Sequence, residues 1–223
     1  PMQGSTVQFQ NVSKSFGRSV ALSGFNLSIA PGEFVTLLGA SGSGKSTALN
    51  ILAGFSDATS GEVFIDWRPM TGVPSEKRNV GMVFQNFALF PHMTVAANVG
   101  FPLKMRGVSR AEVDRRVAAA LEMVHLGGFA QRKPAALSGG QRQRVALARA
   151  VVFEPPVLLM DECLSALDLK LREGLQEEIR RIHRETGTTV LFVTHDQTEA
   201  LTMSDRIAIL ADGKIVQADT PEA

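Results

Sequence analysis

The sequence has no tyrosine, one tryptophan and a single cysteine among its 223 residues. The lone thiol, Cys163, excludes an intramolecular disulfide and is typical of a protein from a reducing cytoplasm. Hydrophobic residues make up 44% of the chain, enough for a sizeable core without a disulfide or a structural metal. A chain of this length predicts one compact domain, or a domain with a subdomain.

An excess of charge of one sign is also missing, because 23 Lys and Arg residues offset 22 Asp and Glu residues and leave a formal net charge of +1. That balance gives no electrostatic basis for wrapping nucleic acid or coating an acidic membrane, so we expect no nucleic-acid partner. No run approaches the ~18–20 apolar residues needed to cross a bilayer, and the N-terminus lacks the pattern of a secretion signal. Any membrane role is therefore expected to be peripheral, through a partner.

The two ends of the sequence suggest a longer natural protein. Pro1 precedes Met2, as in a remnant of cloning or processing, and the chain stops at Thr220-Pro221-Glu222-Ala223, where a helix could begin. Between these ends the sequence has no internal repeat and no low-complexity linker.

Apolar runs bounded by turn residues predict the strands of a sheet. They are Phe25–Ile29, Phe34–Leu38, Val80–Phe84, Val157–Met160, Val190–Val193 and Ile207–Leu210, with Asp212-Gly213 as a tight hairpin turn before Ile215–Val216. Several runs are continuously apolar, which is typical of strands buried on both faces of a mostly parallel sheet.

Helical periodicity lies between the predicted strands. The clearest apolar stripe is Leu171, Leu175, Ile179 and Ile182. It is followed by Gly187, which we expect to cap that helix. Between residues 85 and 137 the strand signal disappears, and Arg110–His125 has apolar residues at helical spacing. The pattern predicts a helical insert in an α/β core, and we place this subdomain at residues 87–152.

The most informative motif is a glycine-rich turn between a strand and a helix. Strand Phe34–Leu38 is followed by Gly39-Ala40-Ser41-Gly42-Ser43-Gly44-Lys45-Ser46, here called the phosphate loop, and then by the helical run Thr47–Ala53. Gly-x4-Gly-Lys-Ser/Thr in this context predicts phosphate binding. Its glycines let successive backbone N–H groups face the phosphates, and the helix N-terminus adds partial positive charge.

The candidate chemical site consists of four side chains. Lys45 and Ser46 belong to the phosphate loop, and Asp161 and Glu162 supply two carboxylates. Lys45 is expected to reach the β- and γ-phosphates, and the Ser46 hydroxyl to help hold Mg²⁺. Asp161-Glu162 ends the strand Val157–Met160, where α/β sheets bind ligands. We predict that Asp161 holds Mg²⁺ through water and that Glu162 orients and polarises an attacking water. Taken alone, this acidic pair is equally compatible with a solvated loop.

With Leu137-Ser138-Gly139-Gly140-Gln141 the sequence resembles the ATP-binding-cassette (ABC) ATPases, whose signature this pentapeptide matches. Four further positions match that family's motifs in order. They are Phe16 for an adenine-stacking aromatic that is usually Tyr, Gln85 for the glutamine loop, Ser165-Ala166-Leu167-Asp168 for the D-loop, and His195 for the switch histidine. The resemblance covers essentially all of Val7–Asp219.

The resemblance implies the fold and the full site. The fold is α/β: a phosphate-loop NTPase core with a mostly parallel sheet, an antiparallel β subdomain and the inserted helical subdomain, with residues 1–223 forming one ABC ATPase domain. ATP would be bound by Phe16, Gly39, Ser41, Gly42, Ser43, Gly44, Lys45, Ser46, Thr47, Ser138, Gly139, Gly140, Gln141 and Asp168. Mg²⁺ would be held by Ser46, Gln85 and Asp161. Catalysis would involve Lys45, Gln85, Glu162 and His195.

The family resemblance also implies an ATP-dependent homodimer. Ser138-Gly139-Gly140 precedes the helical run Gln141–Val151, so it presents N–H groups at a helix N-terminus, where anions are favoured. In the family that anion is the γ-phosphate held by the other subunit, so that two ATP molecules are sandwiched across a two-fold interface. An isolated Ser N-cap with a glycine turn is the alternative interpretation.

Other candidate residues have structural alternatives. His195 could be a satisfied histidine at a strand end, Phe16 could be core, and Gln85 could cap a strand. Arg142 and Arg144 are interpreted as a solvated helix face rather than a catalytic pair. Two positions depart from the family pattern, because Cys163 stands where Pro usually follows the catalytic Glu, and Thr198 where Glu is common.

The segments Phe84–Val95, Thr194–Gln197 and Ala200–Arg206 resemble ATPases of importers fed by a solute-binding protein, especially polyamine (spermidine/putrescine) importers. Maltose-type, sulfate-type and ferric-ion importers are similar, and a non-transport ABC ATPase or a non-hydrolysing nucleotide sensor is the remaining alternative. The resemblance implies integral membrane permease subunits as partners and a peripheral place on the cytoplasmic face of the inner (plasma) membrane. Phe87, Phe90 and Phe101 are candidates for the permease docking surface or for subdomain core.

Overall fold

The structure is a computed structural model and describes residues 4–165 and 167–222. Pro1 and Met2, named above, lie outside the described residues, and so does Ala166, which belongs to the predicted D-loop. The strands are β1 (Val7–Phe16), β2 (Ser19–Ile29), β3 (Phe34–Leu38), β4 (Ser60–Ile65), β5 (Arg68–Pro69), β6 (Val80–Val83), β7 (Val157–Asp161), β8 (Thr189–Thr194), β9 (Arg206–Ala211) and β10 (Lys214–Asp219). The α-helices are α1 (Lys45–Ala53), α2 (Val95–Met105), α3 (Arg110–Met123), α4 (Gly139–Val151), α5 (Leu169–Thr186) and α6 (Gln197–Met203).

The strands form two sheets. The larger has the order β10-β9-β3-β8-β7-β6; β3 runs parallel to β8 and β9, β7 runs parallel to β8, and β10 pairs with β9 in antiparallel fashion. The smaller sheet, β2-β1-β4-β5, is antiparallel throughout. The mostly parallel core and the antiparallel β subdomain of the predicted α/β fold are both confirmed.

The chain divides into two compact units. The first contains the residues up to Met82, Pro156–Glu162 and the residues from His183 on, and the second contains Val83–Pro155 and Cys163–Ile182. The phosphate loop, Asp161, Glu162 and His195 therefore belong to the first unit, and the signature residues to the second. The predicted helical insert at residues 87–152 lies within the second unit.

The core of the first unit explains its continuously apolar strands. Every residue of β8 is buried, as are four of the five in both β3 and β7. Strands of a parallel sheet covered on both faces need apolar side chains in both directions, so the alternation of a half-buried strand is absent. Helix α1 packs into this core through Ala48, Leu49 and Leu52.

Strand β1 was not predicted, because bulges interrupt its alternation. Val7, Phe9 and Val12 are buried, but the register with β2 shifts at three points along the strand. A bulge moves the following side chains to the opposite face, so a strict period of two is lost. Strand β2 also begins at Ser19 rather than at the predicted Phe25.

The helices of the second unit confirm the helical prediction for residues 85–137. Helix α2 was not predicted individually, because Gly100 and Pro102 inside it interrupt the helical periodicity. Gly100 also permits close packing, since a Cβ at this position would lie 3.1 Å from Val113 and Val117 of α3. In α5 the predicted apolar stripe is wrong at Leu171, which is exposed, whereas Leu175, Ile179 and Ile182 are buried. Within the described residues, no helix combines the length and the apolar character needed to cross a membrane.

Candidate active site

The phosphate loop joins β3 to α1 in a backbone conformation that requires glycine. Gly42 and Gly44 have φ values of 82° and 105°, in the left-handed region that L side chains rarely adopt. A Cβ on Gly44 would lie 2.4 Å from the carbonyl oxygen of Ala21, and one on Gly39 would lie 2.4 Å from that of Leu210. The backbone can therefore curl around a phosphate only with these glycines in place.

The interior of the loop is polar. Lys45 Nζ donates to the carbonyl of Ala40 at 2.8 Å, and the carbonyl of Ser43 accepts from the amide of Gly213, in the predicted hairpin turn, at 3.0 Å. Ser43 Oγ is buried and has no hydrogen-bond partner among the described residues. Together with the unpaired N–H groups in the first turn of α1, these groups make a cradle suited to an anion.

Lys45 is a buried cation, with 3% of its surface exposed. Burial lowers the pKa of its ammonium group, and the negative charges of Glu162 and then Asp161 act in the opposite direction. Lys45 Nζ lies 3.9 Å from Glu162 Oε1. The loop therefore holds a positive charge beside both carboxylates that the sequence singled out.

Ser46 and Asp161 form the candidate metal site. The Ser46 hydroxyl donates to Asp161 Oδ1 at 2.9 Å. Burial raises the pKa of Asp161, the hydrogen bond from Ser46 lowers it, Glu162 raises it further and Lys45 lowers it. No cluster of three or more His, Cys, Asp or Glu side chains suited to a metal occurs in the described part of the chain. Magnesium commonly takes one or two protein carboxylates and completes its shell with water and phosphate oxygens, so this donor pair fits Mg²⁺.

Glu162 and His195 lie side by side at the ends of neighbouring strands. Glu162 has a positive φ of 42°, and its amide donates to the carbonyl of Val193 on β8 at 2.9 Å. His195 Nδ1 is 3.3 Å from Glu162 Oε2, and the side chains of His195 and Glu162 are 54% and 18% exposed. The Glu162 carboxylate thus lies between Lys45 and His195 and is partly accessible to water.

Phe16 ends β1 and is 55% exposed, so the alternative that it belongs to the core is wrong. Lys14 Nζ lies 4.9 Å from the centroid of its ring. An exposed ring face is available for stacking. Its contact with adenine stays a prediction.

The signature segment caps a helix, as its sequence indicated. Ser138 Oγ accepts from the amide of Gln141 at 3.2 Å, and the Gln141 side chain accepts from the amide of Ser138 at 2.9 Å, which makes a capping box at the start of α4. A Cβ on Gly140 would lie 3.4 Å from the side chain of Leu171, at van der Waals contact. The structural alternative for Ser138 is therefore realised. The cap uses the amide of Gln141 and leaves the amides of Gly139 and Gly140, at the start of α4, without a partner in the capping box.

The other predicted residues of the second unit lie in turns or at a helix end. Strand β6 ends at Val83, so Gln85 does not end a strand but stands in the exposed turn that follows. Asp168 Oδ1 accepts from the amide of Leu171 at the start of α5, at 3.0 Å. Roles for Gln85 and Asp168 at a nucleotide stay predictions. Cys163 is buried.

Two arginines of α4 contact other segments of the second unit, which the sequence did not indicate. The interpretation of Arg144 as part of a solvated face is wrong, because Arg144 Nη1 lies 2.9 Å from Glu178 Oε2 and donates to the carbonyl of Val124 at 3.1 Å. Arg149 donates to the carbonyls of Phe87 and Ala88 at 2.8 Å each. No local pattern predicts either contact, since the partners lie far away along the chain.

The family model described as ABC transporter matches residues 22–165. The chain belongs to the ABC transporter family. Among curated relatives, this ABC chain is 51% identical over 221 residues to the spermidine/putrescine import ATP-binding protein PotA of Haemophilus influenzae, covering 99% of this chain and 59% of the relative. It is 54% identical to the PotA protein of Methylococcus capsulatus, covering 99% of this chain and 57% of the relative. The chain thus spans less than two thirds of the length of these relatives.

Solved structures confirm the ABC fold. The dimeric structure of MJ0796, described as a bacterial ABC transporter cassette, has a TM-score of 0.87 and 38% sequence identity, covering 97% of this chain and 99% of that one. A second structure, with the same TM-score, identity and coverage, shows the MJ0796 cassette in a dimeric post-hydrolysis state bound to ADP and phosphate. The predicted family and fold class are therefore confirmed.

Proposed function

We propose that this ABC chain binds and hydrolyses ATP as the nucleotide-binding subunit of an importer. The observation that carries the proposal is the position of Glu162, 3.9 Å from Lys45 and 3.3 Å from His195, beside the phosphate loop. A partly exposed carboxylate next to a phosphate cradle is what in-line attack by water on a terminal phosphate requires.

In the proposed reaction the phosphate loop holds the triphosphate, and Lys45 neutralises its β- and γ-phosphates. Ser46 and Asp161 would hold Mg²⁺, which supplies positive charge to the phosphate oxygens when bound. Glu162 orients a water and accepts its proton while the water oxygen bonds to the γ-phosphorus and the bond to the bridging oxygen breaks. ADP and phosphate are the products. His195 contacts the γ-phosphate and keeps Glu162 oriented.

The proposed active unit is a homodimer in which the signature of one subunit faces the nucleotide of the other. The capping box leaves the amides of Gly139 and Gly140, at the start of α4, available for an anion, and the similar MJ0796 cassette has a dimeric structure. Gln85 and Asp168 are proposed to join this shared site, and Phe16 to stack on the adenine.

Import is the proposed use of the hydrolysis energy. The PotA relatives are named for spermidine and putrescine import, and their similarity over nearly the whole of this chain supports a polyamine importer. Integral membrane permease subunits and, indirectly, a solute-binding protein are the proposed partners, on the cytoplasmic face of the inner membrane. The rings of Phe90 and Phe101 pack 4.8 Å apart and both are half-buried, which supports a role in subdomain packing beside any permease contact.

Hydrolysis is tested on the purified chain with Lys45→Ala. Removing the cation that neutralises the β- and γ-phosphates should lower the ATPase rate by about 100-fold or more, and EDTA should abolish the rate of the parent chain. Lys77→Ala, which removes an exposed lysine of the same unit, is the matched control and should keep the parental rate. An unchanged rate for Lys45→Ala would exclude this site as the seat of hydrolysis.

The transported substrate is tested after reconstitution with the cognate permease and solute-binding protein in vesicles. Putrescine or spermidine should stimulate the ATPase rate, whereas maltose, sulfate and ferric ion should leave it at its basal value. Stimulation by one of those three and not by polyamines would assign the importer to another substrate class.

A further inference from the structure

A buried carboxylate lies behind the proposed switch histidine. Glu199 belongs to α6 and is only 1% exposed. Its Oε2 accepts a hydrogen bond of 2.5 Å from the hydroxyl of Thr194, the last residue of β8. Burial of a carboxylate is unfavourable unless donors satisfy it, so this contact holds Thr194 and α6 together.

The Thr194 hydroxyl has a second hydrogen bond on the other side of His195. It accepts from the amide of Asp196 at 3.1 Å. The Asp196 carboxylate in turn accepts from the amides of Thr198 at 2.8 Å and Glu199 at 3.1 Å, which caps α6. Both chain neighbours of His195 are therefore bonded into one network that includes the buried Glu199.

His195 needs such support, because more than half of its side chain is exposed and surrounding side chains pack against only part of it. The orientation of an exposed ring depends strongly on the backbone that carries it. Glu162 is held one residue before Thr194, because its amide donates to the carbonyl of Val193 at 2.9 Å. A small rotation of the backbone at Thr194 would thus move His195 relative to Glu162.

We propose that Thr194 and Glu199 are positioning residues that set the orientation of His195 beside Glu162. The proposal rests on the proposed ATPase function, in which His195 and Glu162 act on the γ-phosphate. Neither Thr194 nor Glu199 touches the nucleotide; both act through His195. A merely structural role, in which they join β8 to α6 for stability, makes different predictions.

The kinetic test compares variants that remove or keep the hydrogen bond. Thr194→Val and Glu199→Leu remove the donor and the acceptor at similar size, and should lower kcat by about 10- to 100-fold because the reacting groups are misplaced. The KM for ATP should change by no more than about twofold, since the phosphate loop is intact. Thr194→Ser and Glu199→Gln keep the bond and should recover most of the rate. Thr202→Val makes the same hydroxyl-to-methyl change at an exposed position of α6 and is the matched control.

A double-mutant comparison separates positioning from stability. In a His195→Ala background, Thr194→Val should cause no further loss of kcat, because its effect passes through the missing ring. A further loss as large as in the parent background would overturn the proposal, and so would a parental kcat for Thr194→Val and Glu199→Leu. Thermal unfolding of each variant identifies any that simply fails to fold, in which case Thr194→Ser and Glu199→Gln are compared with the parent.

The mobility of the His195 ring can also be measured directly, independently of ATPase activity. The chain has four histidines, so ring-labelled histidine gives four signals, and His195→Ala assigns one of them. In Thr194→Val the ring of His195 should become more mobile by carbon relaxation, whereas Thr202→Val should leave it unchanged. If the parent chain hydrolyses no ATP, the proposed function fails, yet this mobility still decides the positioning role. An unchanged ring mobility in Thr194→Val would overturn that role.

Discussion

At the scale of single residues, the candidate site concentrates charge in places where charge is unfavourable. Lys45 is buried at the start of α1, and burial raises the pKa of Asp161 at the end of β7. An unfavourable free energy of burying charged groups is typical of sites that bind a ligand of complementary charge. The nucleotide-free site should therefore become more stable when the charge of Asp161 is removed.

Asp161→Asn tests this cost. The raised pKa means that the folded state binds a proton more tightly than the unfolded state, so ionisation of Asp161 destabilises the fold as pH rises. In EDTA without nucleotide, Asp161→Asn should have a higher Tm than the parent at pH 7, and the difference should shrink as pH falls through the pKa of Asp161. Differential scanning calorimetry from pH 4 to pH 8 measures it.

Nucleotide binding by Asp161→Asn provides a second, functional measurement. The same variant should lose the Mg²⁺ dependence of ATP binding, because it removes the carboxylate of the candidate metal site. An Asp161→Asn chain that is less stable than the parent at pH 7 would show that the hydrogen bond from Ser46 and the positive charge of Lys45 outweigh burial.

At the scale of elements, helix α4 organises the second unit. Its N-terminus carries the signature cap, Arg149 holds the carbonyls of Phe87 and Ala88, and Arg144 joins Glu178 of α5 to the end of α3. Phe87 and Ala88 have positive φ values of 65° and 45°, a conformation that costs free energy and needs outside support. Displacement of α4 would thus disturb three segments together.

Arg144→Met should destabilise the fold by about 1–3 kcal/mol, because it leaves the buried Glu178 carboxylate without its 2.9 Å partner. The nearby positive charge of Arg181 keeps the loss in that range. Urea unfolding measures the change. The double variant Arg144→Met/Glu178→Met removes both charges and should recover much of the stability. Equal destabilisation of the single and double variants would contradict the pairing.

At the scale of the whole molecule, the proposed mechanism requires two copies of the chain. Glu162→Gln should retain nucleotide because it keeps the shape of the site and removes the proton acceptor. In the proposed dimer ATP contacts both subunits, so it binds the dimer more tightly than the monomer and should convert this variant to dimers, whereas ADP, which lacks the γ-phosphate, should not. Light scattering with ATP, ADP and no nucleotide gives the mass directly.

The control for assembly is Ser138→Arg in the Glu162→Gln chain. It places bulk and charge at the signature and should abolish the ATP-dependent dimer while ATP binding to each monomer persists. A Glu162→Gln chain that stays monomeric under all three conditions would contradict a shared site in the isolated chain.

The sequence by itself determined the elements whose signals are local. The phosphate loop is encoded by adjacent glycines that permit positive φ, and the buried strands β3, β7 and β8 by unbroken apolar runs. The signature capping box is likewise contained in four successive residues. The family followed from these motifs in order.

Only the tertiary structure decided contacts between distant parts of the chain. Ser46 meets Asp161 although 115 positions separate them, because β3, β8 and β7 are neighbours in the sheet and bring their ends to one edge. The placement of Glu162 between Lys45 and His195, and the pairing of Arg144 with Glu178, likewise depend on which elements pack together. Such contacts leave no periodic trace in the sequence, since each depends on sheet order and helix packing rather than on neighbouring residues.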